Sequence, residues 1–164
     1  MKVNSEAPAP YSAEVIDDDS IIERAIKLIQ SKLKTPGKAL TNPNLVKDYL
    51  ILHLAQFEEE HFSLILLNNQ HQVIGFENVF RGTVDTTSVY PREIVKTVLS
   101  HNAAAVILAH NHPSGNPDPS NSDVALTKRL TESLALIDVR VLDHIIVGGC
   151  SQTLTTSLAE RGLI

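Results

Sequence analysis

The sequence predicts an α/β (α+β) sandwich. Short apolar, partly β-branched runs read as strands, amphipathic stretches of helical spacing lie between them, and a Pro-rich loop leaves the end of a buried central strand. At 164 residues the chain is long enough for one domain with a hydrophobic core, with arms to spare.

The elements follow in order. Met1 to Asp19 mixes Pro, Ser and Ala with the acidic run Asp17 to Asp19, too polar to bury much surface, and is expected to be a mobile arm. From Ser20 the positions Ile21, Ile22, Ala25, Ile26, Leu28, Ile29 and Leu33 have helical spacing, with Ser20 and Glu23 placed as a capping box. This helix and its linker, ending around Thr35-Pro36-Gly37, occupy residues 20–40. The compact domain is expected over residues 41–164. It opens with a helix capped by Thr41 or Asn42, with Pro43 in its first turn, running through Leu45, Val46, Tyr49, Leu50 and His53.

His61 to Leu67 and Val73 to Phe80 then form an antiparallel hairpin around Asn68 to Gln72, the first strand buried on both faces. After the Thr- and Ser-rich connection Arg81 to Tyr90, Pro91 opens a helix with apolar positions Ile94, Val95, Val98 and Leu99, closed by Asn102. Ala103 to Ala109 reads as a short buried strand. The stretch after it, His110 to Ser120, holds three prolines and a glycine, which exclude regular structure. Ser120 or Ser122 caps a helix through Leu136, Val139 to Val147 is a further strand stopped by Gly148-Gly149, and a short strand and turn finish the chain.

Composition narrows the function classes. A formal charge of -5 offers little of the clustered Lys and Arg that phosphate binding uses. The one cysteine, Cys150, excludes an intramolecular disulfide and a Cys-based zinc knuckle, reads as a buried structural thiol and fits a cytoplasmic setting. No apolar run nears the roughly 20 residues that span a bilayer, and Met1 to Pro10 lacks the apolar core of a signal peptide.

The chemistry concentrates around the Pro-rich loop. His110 and His112, at i and i+2 on extended backbone, place both imidazoles on one side of the chain. Asp123 follows eleven positions after His112, in the first turn of a helix that the rigid loop carries back over the strand. Two His and one carboxylate make a catalytic zinc set, one Zn2+ per chain. Three protein ligands leave the fourth tetrahedral position to water, whose pKa falls from about 15.7 towards about 7. Ser120 and Asp123 also suit a helix cap, and capping does not exclude catalysis.

The pattern His-x-His, seven residues, Ser, two residues, Asp, present as His110, His112, Ser120 and Asp123, resembles the JAMM signature of MPN-domain (JAB-type) zinc metalloproteases. Phe80-Arg81-Gly82-Thr83, Val89-Tyr90-Pro91-Arg92-Glu93, Asn102-Ala103-Ala104-Ala105, His110-Asn111-His112-Pro113-Ser114-Gly115 and Leu142-Asp143-His144 resemble the bacterial RadC family, over roughly Thr41 to Ile164. The resemblance implies a curved mixed sheet flanked by helices, zinc on His110, His112 and Asp123, Ser120 beside the polarised carbonyl, and a glutamate outside the motif as base. Glu58, Glu59, Glu60, Glu77 and Glu93 all precede the histidines. Glu60 is the choice, because in the JAMM family the glutamate precedes a buried strand after the first domain helix, and Glu60 directly precedes His61 to Leu67.

Asp143 and His144 lie in a strand, where a charged pair needs partners; one of them orienting a zinc ligand competes with ordinary strand-end exposure. Glu93 suits the helix dipole after Pro91, and the role of Arg92 is open. The function expected is a metallopeptidase or isopeptidase. The competing reading is a DNA-repair-associated accessory or DNA-binding module with a non-hydrolytic metal site. Full-length RadC relatives carry a helix-hairpin-helix region before the JAMM domain, whereas here about 40 residues precede it, with no hairpin of that kind. A contiguous His-Asn-His is not the scattered set of an HNH nuclease, and one cysteine excludes a zinc deaminase. The expected partner is a peptide or protein. The apolar face of the first helix must pack on its own domain or on a second copy, and a homodimer is the expectation.

Overall fold

The computed structural model describes residues 18–33, 43–82 and 89–164. The expected arm over Met1 to Asp17, the linker with the caps Thr41 and Asn42, and residues 83–88 of the connection lie outside them. Among the described residues the order is α1 (Asp18–Leu33), α2 (Pro43–Leu54), β1 (His61–Leu67), β2 (Val73–Arg81), α3 (Pro91–Ser100), β3 (Ala105–Asn111), α4 (Asn121–Ala135), β4 (Arg140–Val147), a 3-10 turn (Gln152–Leu154) and β5 (Thr155–Ser157).

One mixed sheet runs β2-β1-β3-β4-β5, antiparallel except for the parallel pair β3 and β4. Side chains alternate along its strands. Ile65, Leu67, Ile107, Ala109, Ile145 and Val147 face α1 and α2, where they meet Leu33, Val46, Tyr49, Leu50 and Leu54. Phe62, Leu64, Leu66, Val106 and Leu108 face α3 and α4, where they meet Ile94, Val98, Leu130 and Leu134. All seven residues of β1 and all seven of β3 are buried, as a central strand covered on both faces requires. Truncating a fully buried Leu here, such as Leu108, costs about 2–5 kcal/mol.

Four local expectations are corrected. Helix α1 begins at Asp18, so Ser20 lies inside its first turn and not at its cap; Asp18 and Asp19 there suit the positive end of the helix dipole. Ile26, Ile29 and Leu33 pack α1 on its own domain, although Ile21 and Leu28 stay exposed. Strand β3 starts two residues later than its pattern suggests, because Asn102 turns left-handed (φ 51°) and Ala103 N–H closes on Val98 O at 3.0 Å. It also runs on through His110 and Asn111, since β4 still pairs with both and β1 with His110, so the irregular loop begins at His112. Cys150 is exposed, on the turn after Gly148-Gly149.

Two features hold the Pro-rich loop over the sheet end. His112 N–H donates to Val147 O at 2.9 Å, extending the β3–β4 seam by one rung. Gly148 lies so close to the loop that a Cβ there would sit 2.6 Å from Gly115 O and 2.9 Å from Pro117 N. The loop thus returns to Ser120, the N-cap of α4, whose first turn lies beside the carboxyl end of the parallel pair. Ligand sites in α/β sheets favour that place.

Candidate metal centre

His110 continues the row Leu64, Leu108 on the α4 side of the sheet and is 1% exposed; His112 is two residues on and half-buried. Their Nε2 atoms lie 2.9 Å apart. Asp123, in the first turn of α4, brings Oδ1 to 3.3 Å from His110 Nε2 and Oδ2 to 3.6 Å from His112 Nε2. One ligand atom from each of the three lies within 4.8 Å of the others, so the structure brings together the three residues that the spacing singles out.

Hydrogen-bond directions decide what this cluster can accept. Thr127 Oγ1 donates to the carbonyl of Asp123 at 2.6 Å, since a carbonyl can only accept. Its 2.6 Å contact with His144 Nδ1 therefore takes the proton from the imidazole. His144 is fully buried, and burial holds it well below the usual imidazole pKa, so it is neutral with its proton on Nδ1. Its bare Nε2 then accepts, at 2.8 Å, from His110 Nδ1–H. Burial lowers the pKa of His110 to about 4, against the opposing charge of Asp123, so this ring too is neutral and its Nε2 is bare. His112 Nδ1 donates to Asn116 O at 2.7 Å, which turns its Nε2 inward as well.

Two bare imidazole nitrogens and a carboxylate thus converge with no donor among them. Only a cation satisfies all three. A proton on His112 is the simplest one: the bond to Asp123 raises its pKa, burial opposes, and Asn116 O and the charges of Asp123 and Glu60 reinforce the rise. A divalent metal satisfies all three acceptors at once, and two neutral imidazoles with one carboxylate form a usual donor set for one. Phe62 seals the sheet side, with its ring centroid 6.2 Å from that of His110 and 5.5 Å from that of His144.

Ser120 and Asp123 form a reciprocal capping box. Asp123 N–H donates to Ser120 Oγ at 3.1 Å, while Ser120 N–H and Oγ–H each donate to Asp123 Oδ2 at 2.7 Å. Burial alone would raise the pKa of Asp123. The bond from His112, the charge of His110 and the two from Ser120 outweigh it and hold the carboxyl far below its usual range. Oδ1, free of the cap, is the oxygen nearer His110.

The glutamates separate by partner. Glu59 is bound by Arg81, Glu77 faces His101 at 3.2 Å, Glu93 pairs with Lys96 at 2.9 Å, and Glu58 is exposed. Glu60 is half-buried and shares a cleft of about 260 Å³ with His112, Pro113 and Ser114. Burial raises its pKa; His112 opposes the rise and Asp123 adds to it.

Residues 40–163 match the family profile of the RadC-like JAB domain. The chain belongs to the RadC family. A UPF0758 protein of Vibrio cholerae is 51% identical over 145 residues, 88% of this chain and 89% of its own length. UPF0758 protein YeeS of Escherichia coli is 48% identical over 145 residues, 88% of this chain and 96% of its own length. A UPF0758 protein of Nitrosococcus oceani is 47% identical over 164 residues, all of this chain and 71% of its own. These names state no activity, and the mixed sheet flanked by helices agrees with the JAB fold.

Within this RadC-family chain the Asp143-His144 pair divides between the two faces of β4. His144 joins the cluster. Asp143 accepts from His144 N–H (2.7 Å), Ala159 N–H (3.0 Å) and Ser157 Oγ (2.6 Å), so it ties down the C-terminal segment. Arg92 is exposed at the start of α3. Sequence reasoning missed Thr127, which reads only as one more helix position. The signal available was its spacing, one helical turn after Asp123 on the same face.

Proposed function

We propose that this chain is a zinc-dependent hydrolase of peptide or isopeptide bonds, with one zinc held by His110 Nε2, His112 Nε2 and Asp123. The observation that carries it is the convergence of three acceptors with no donor, beside Glu60, a half-buried carboxylate that makes no salt bridge among the described residues. Bound there, zinc supplies a Lewis acid that lowers the pKa of a coordinated water to about 7 and polarises a carbonyl.

The chain's own residues supply the rest. Glu60 shares the cleft with His112 without belonging to the ligand set, and its raised pKa brings it nearer the range in which a carboxylate both takes up and returns a proton. In the reaction it accepts the proton of the attacking water and delivers it to the leaving amine. Ser120 holds Asp123 through both its N–H and its hydroxyl. Turning the hydroxyl towards the developing oxyanion leaves the N–H bond to Oδ2 in place, so Asp123 keeps its orientation. The cleft is open to solvent along Pro113 and Ser114, which gives an extended chain room to lie across the base.

Metal analysis of protein purified without chelator should return about one zinc per chain. Glu60→Gln should keep that zinc and lose about 10²- to 10⁴-fold in cleavage of fluorogenic linear and isopeptide-linked probes. Protein without metal overturns the zinc assignment, and undiminished cleavage by Glu60→Gln overturns the base.

A further inference from the structure

Asn111 stands between the two histidines but points the other way. Alternation sends His110 and His112 towards α4 and the Asn111 side chain to the opposite face, where it is 3% exposed. A polar side chain buried at the end of a strand has to be accounted for bond by bond. Its Oδ1 accepts from His61 N–H at 2.8 Å. Its Nδ2 donates to Glu59 O at 2.9 Å and to Phe57 O at 3.3 Å.

These partners are not scattered. The Glu59 carbonyl belongs to the peptide unit before the Cα of Glu60, and His61 N–H to the unit after it. One amide therefore grips both peptide planes that flank Glu60. Gly82 N–H adds a bond to Glu60 O at 2.8 Å from the β2 side. The backbone ladder between β1 and β3 has its last pair at Phe62 and His110, so the side chain of Asn111 supplies the next rung where the ladder stops. It rises from the same short strand end that carries His110.

We propose that Asn111 is a positioning residue that couples the frame of the metal ligands to Glu60: it fixes where the Glu60 carboxylate stands relative to His112. This rests on the reading of Glu60 as the base, and it adds the element that aims it. Asn meets the requirement because one planar group must both accept and donate. Asp loses the donor, Leu loses both, and Gln is one methylene too long for this strand end.

The test uses the full chain loaded with zinc, in Asn111→Ala, the milder Asn111→Ser, Glu60→Gln and the double variant Asn111→Ala/Glu60→Gln. Zinc content, amide hydrogen exchange and cleavage of a fluorogenic isopeptide-linked probe are followed. We expect zinc content to be unchanged and exchange over Phe57–His61 to speed up while β1 and β3 stay protected. We expect kcat to fall about 100-fold in Asn111→Ala, as for a catalytic group displaced by about 1 Å, with KM nearly constant and Asn111→Ser in between. The double variant should be no slower than Glu60→Gln, because an unaimed base and an absent base are the same defect. Multiplying losses in the double variant, or unchanged exchange over Phe57–His61, overturns the proposal. If Glu60→Gln cleaves like the parent, the base assignment fails by itself. The clamp is then decided by exchange alone, supported by faster exchange confined to Phe57–His61 and refuted by its absence.

Discussion

Replacing Thr127 with Val tests the hydrogen-bond chain that presents His110 to a metal. The two side chains have nearly the same shape, so the change removes one oxygen and leaves the packing of α4 in place. In the parent, His110 Nε2 is bare because its proton sits on Nδ1, 2.8 Å from His144 Nε2, and His144 in turn gives its Nδ1 proton to Thr127 at 2.6 Å. Without the oxygen, His144 has two choices. It keeps the proton on Nδ1, unpaired at a fully buried position, at a cost of about 1–3 kcal/mol. Or it moves the proton to Nε2, donates to His110 Nδ1 and drives the His110 proton onto Nε2, the atom a metal needs. Binding must then reverse that shift and meet the same cost. The second route weakens zinc by roughly 5- to 150-fold, taking 1.4 kcal/mol per factor of ten; the first leaves His110 Nε2 bare and lowers folding stability instead. Competition against a chromophoric chelator measures the affinity, and imidazole ¹⁵N shifts in the metal-free protein report the tautomer. Thr127→Ser should restore both. Parental zinc affinity together with parental stability in urea unfolding of Thr127→Val would falsify the tautomer argument.

Two further outcomes follow from the fold. Gly148→Ala places a methyl 2.6 Å from Gly115 O, against backbone that cannot swing aside; we expect about 1–3 kcal/mol lower stability in urea unfolding, and an unchanged midpoint would show that the loop yields freely. Burial raises Tyr49 from 10.0 to about 12, so the folded state keeps the neutral phenol. Its contribution is intact below pH 10 and is lost as pH rises to about 12, a change of about 3 kcal/mol at roughly 1.4 kcal/mol per unit. Unfolding free energies from pH 9 to 12 should therefore fall more steeply for the parent than for Tyr49→Phe, and parallel curves would refute this.

The fold was legible where one period dominates a segment. The β1–β2 hairpin and α2 to α4 follow directly from apolar, β-branched runs around a turn, from helical spacing, from Pro43 and Pro91, and from a cap at Ser120 or Ser122, of which the structure uses Ser120. The errors fall at ends, where pattern alone is silent about pairing. Ala103 is as apolar as the strand it precedes, yet the left-handed turn at Asn102 spends its N–H on closing α3. His110 and Asn111 look like the start of a loop because of the prolines beyond them, yet β4 still pairs with both and β1 with His110. Whether a residue at a strand end continues the ladder depends on what lies beside it, and neighbours are fixed by topology.

The same distinction runs through the site. His110, His112, Ser120 and Asp123 are visible as spacing because one strand end, the loop after it and the helix turn that follows carry all four within one stretch of chain. The residues that give them direction come from elsewhere: His144 from a parallel strand 34 positions beyond His110, Thr127 from the next turn of α4, and the Phe57–His61 backbone from 50 positions before Asn111. A bare spacing of two histidines and an aspartate is compatible with a satisfied polar cluster, in which each ring nitrogen has a donor or acceptor of its own. Here the outer partners engage Nδ1–H of both rings, so the inner nitrogen of each neutral ring offers only a lone pair. That deficit of protons, more than the identity of the three residues, is what a cation would fill, either a proton on His112 or the metal proposed above.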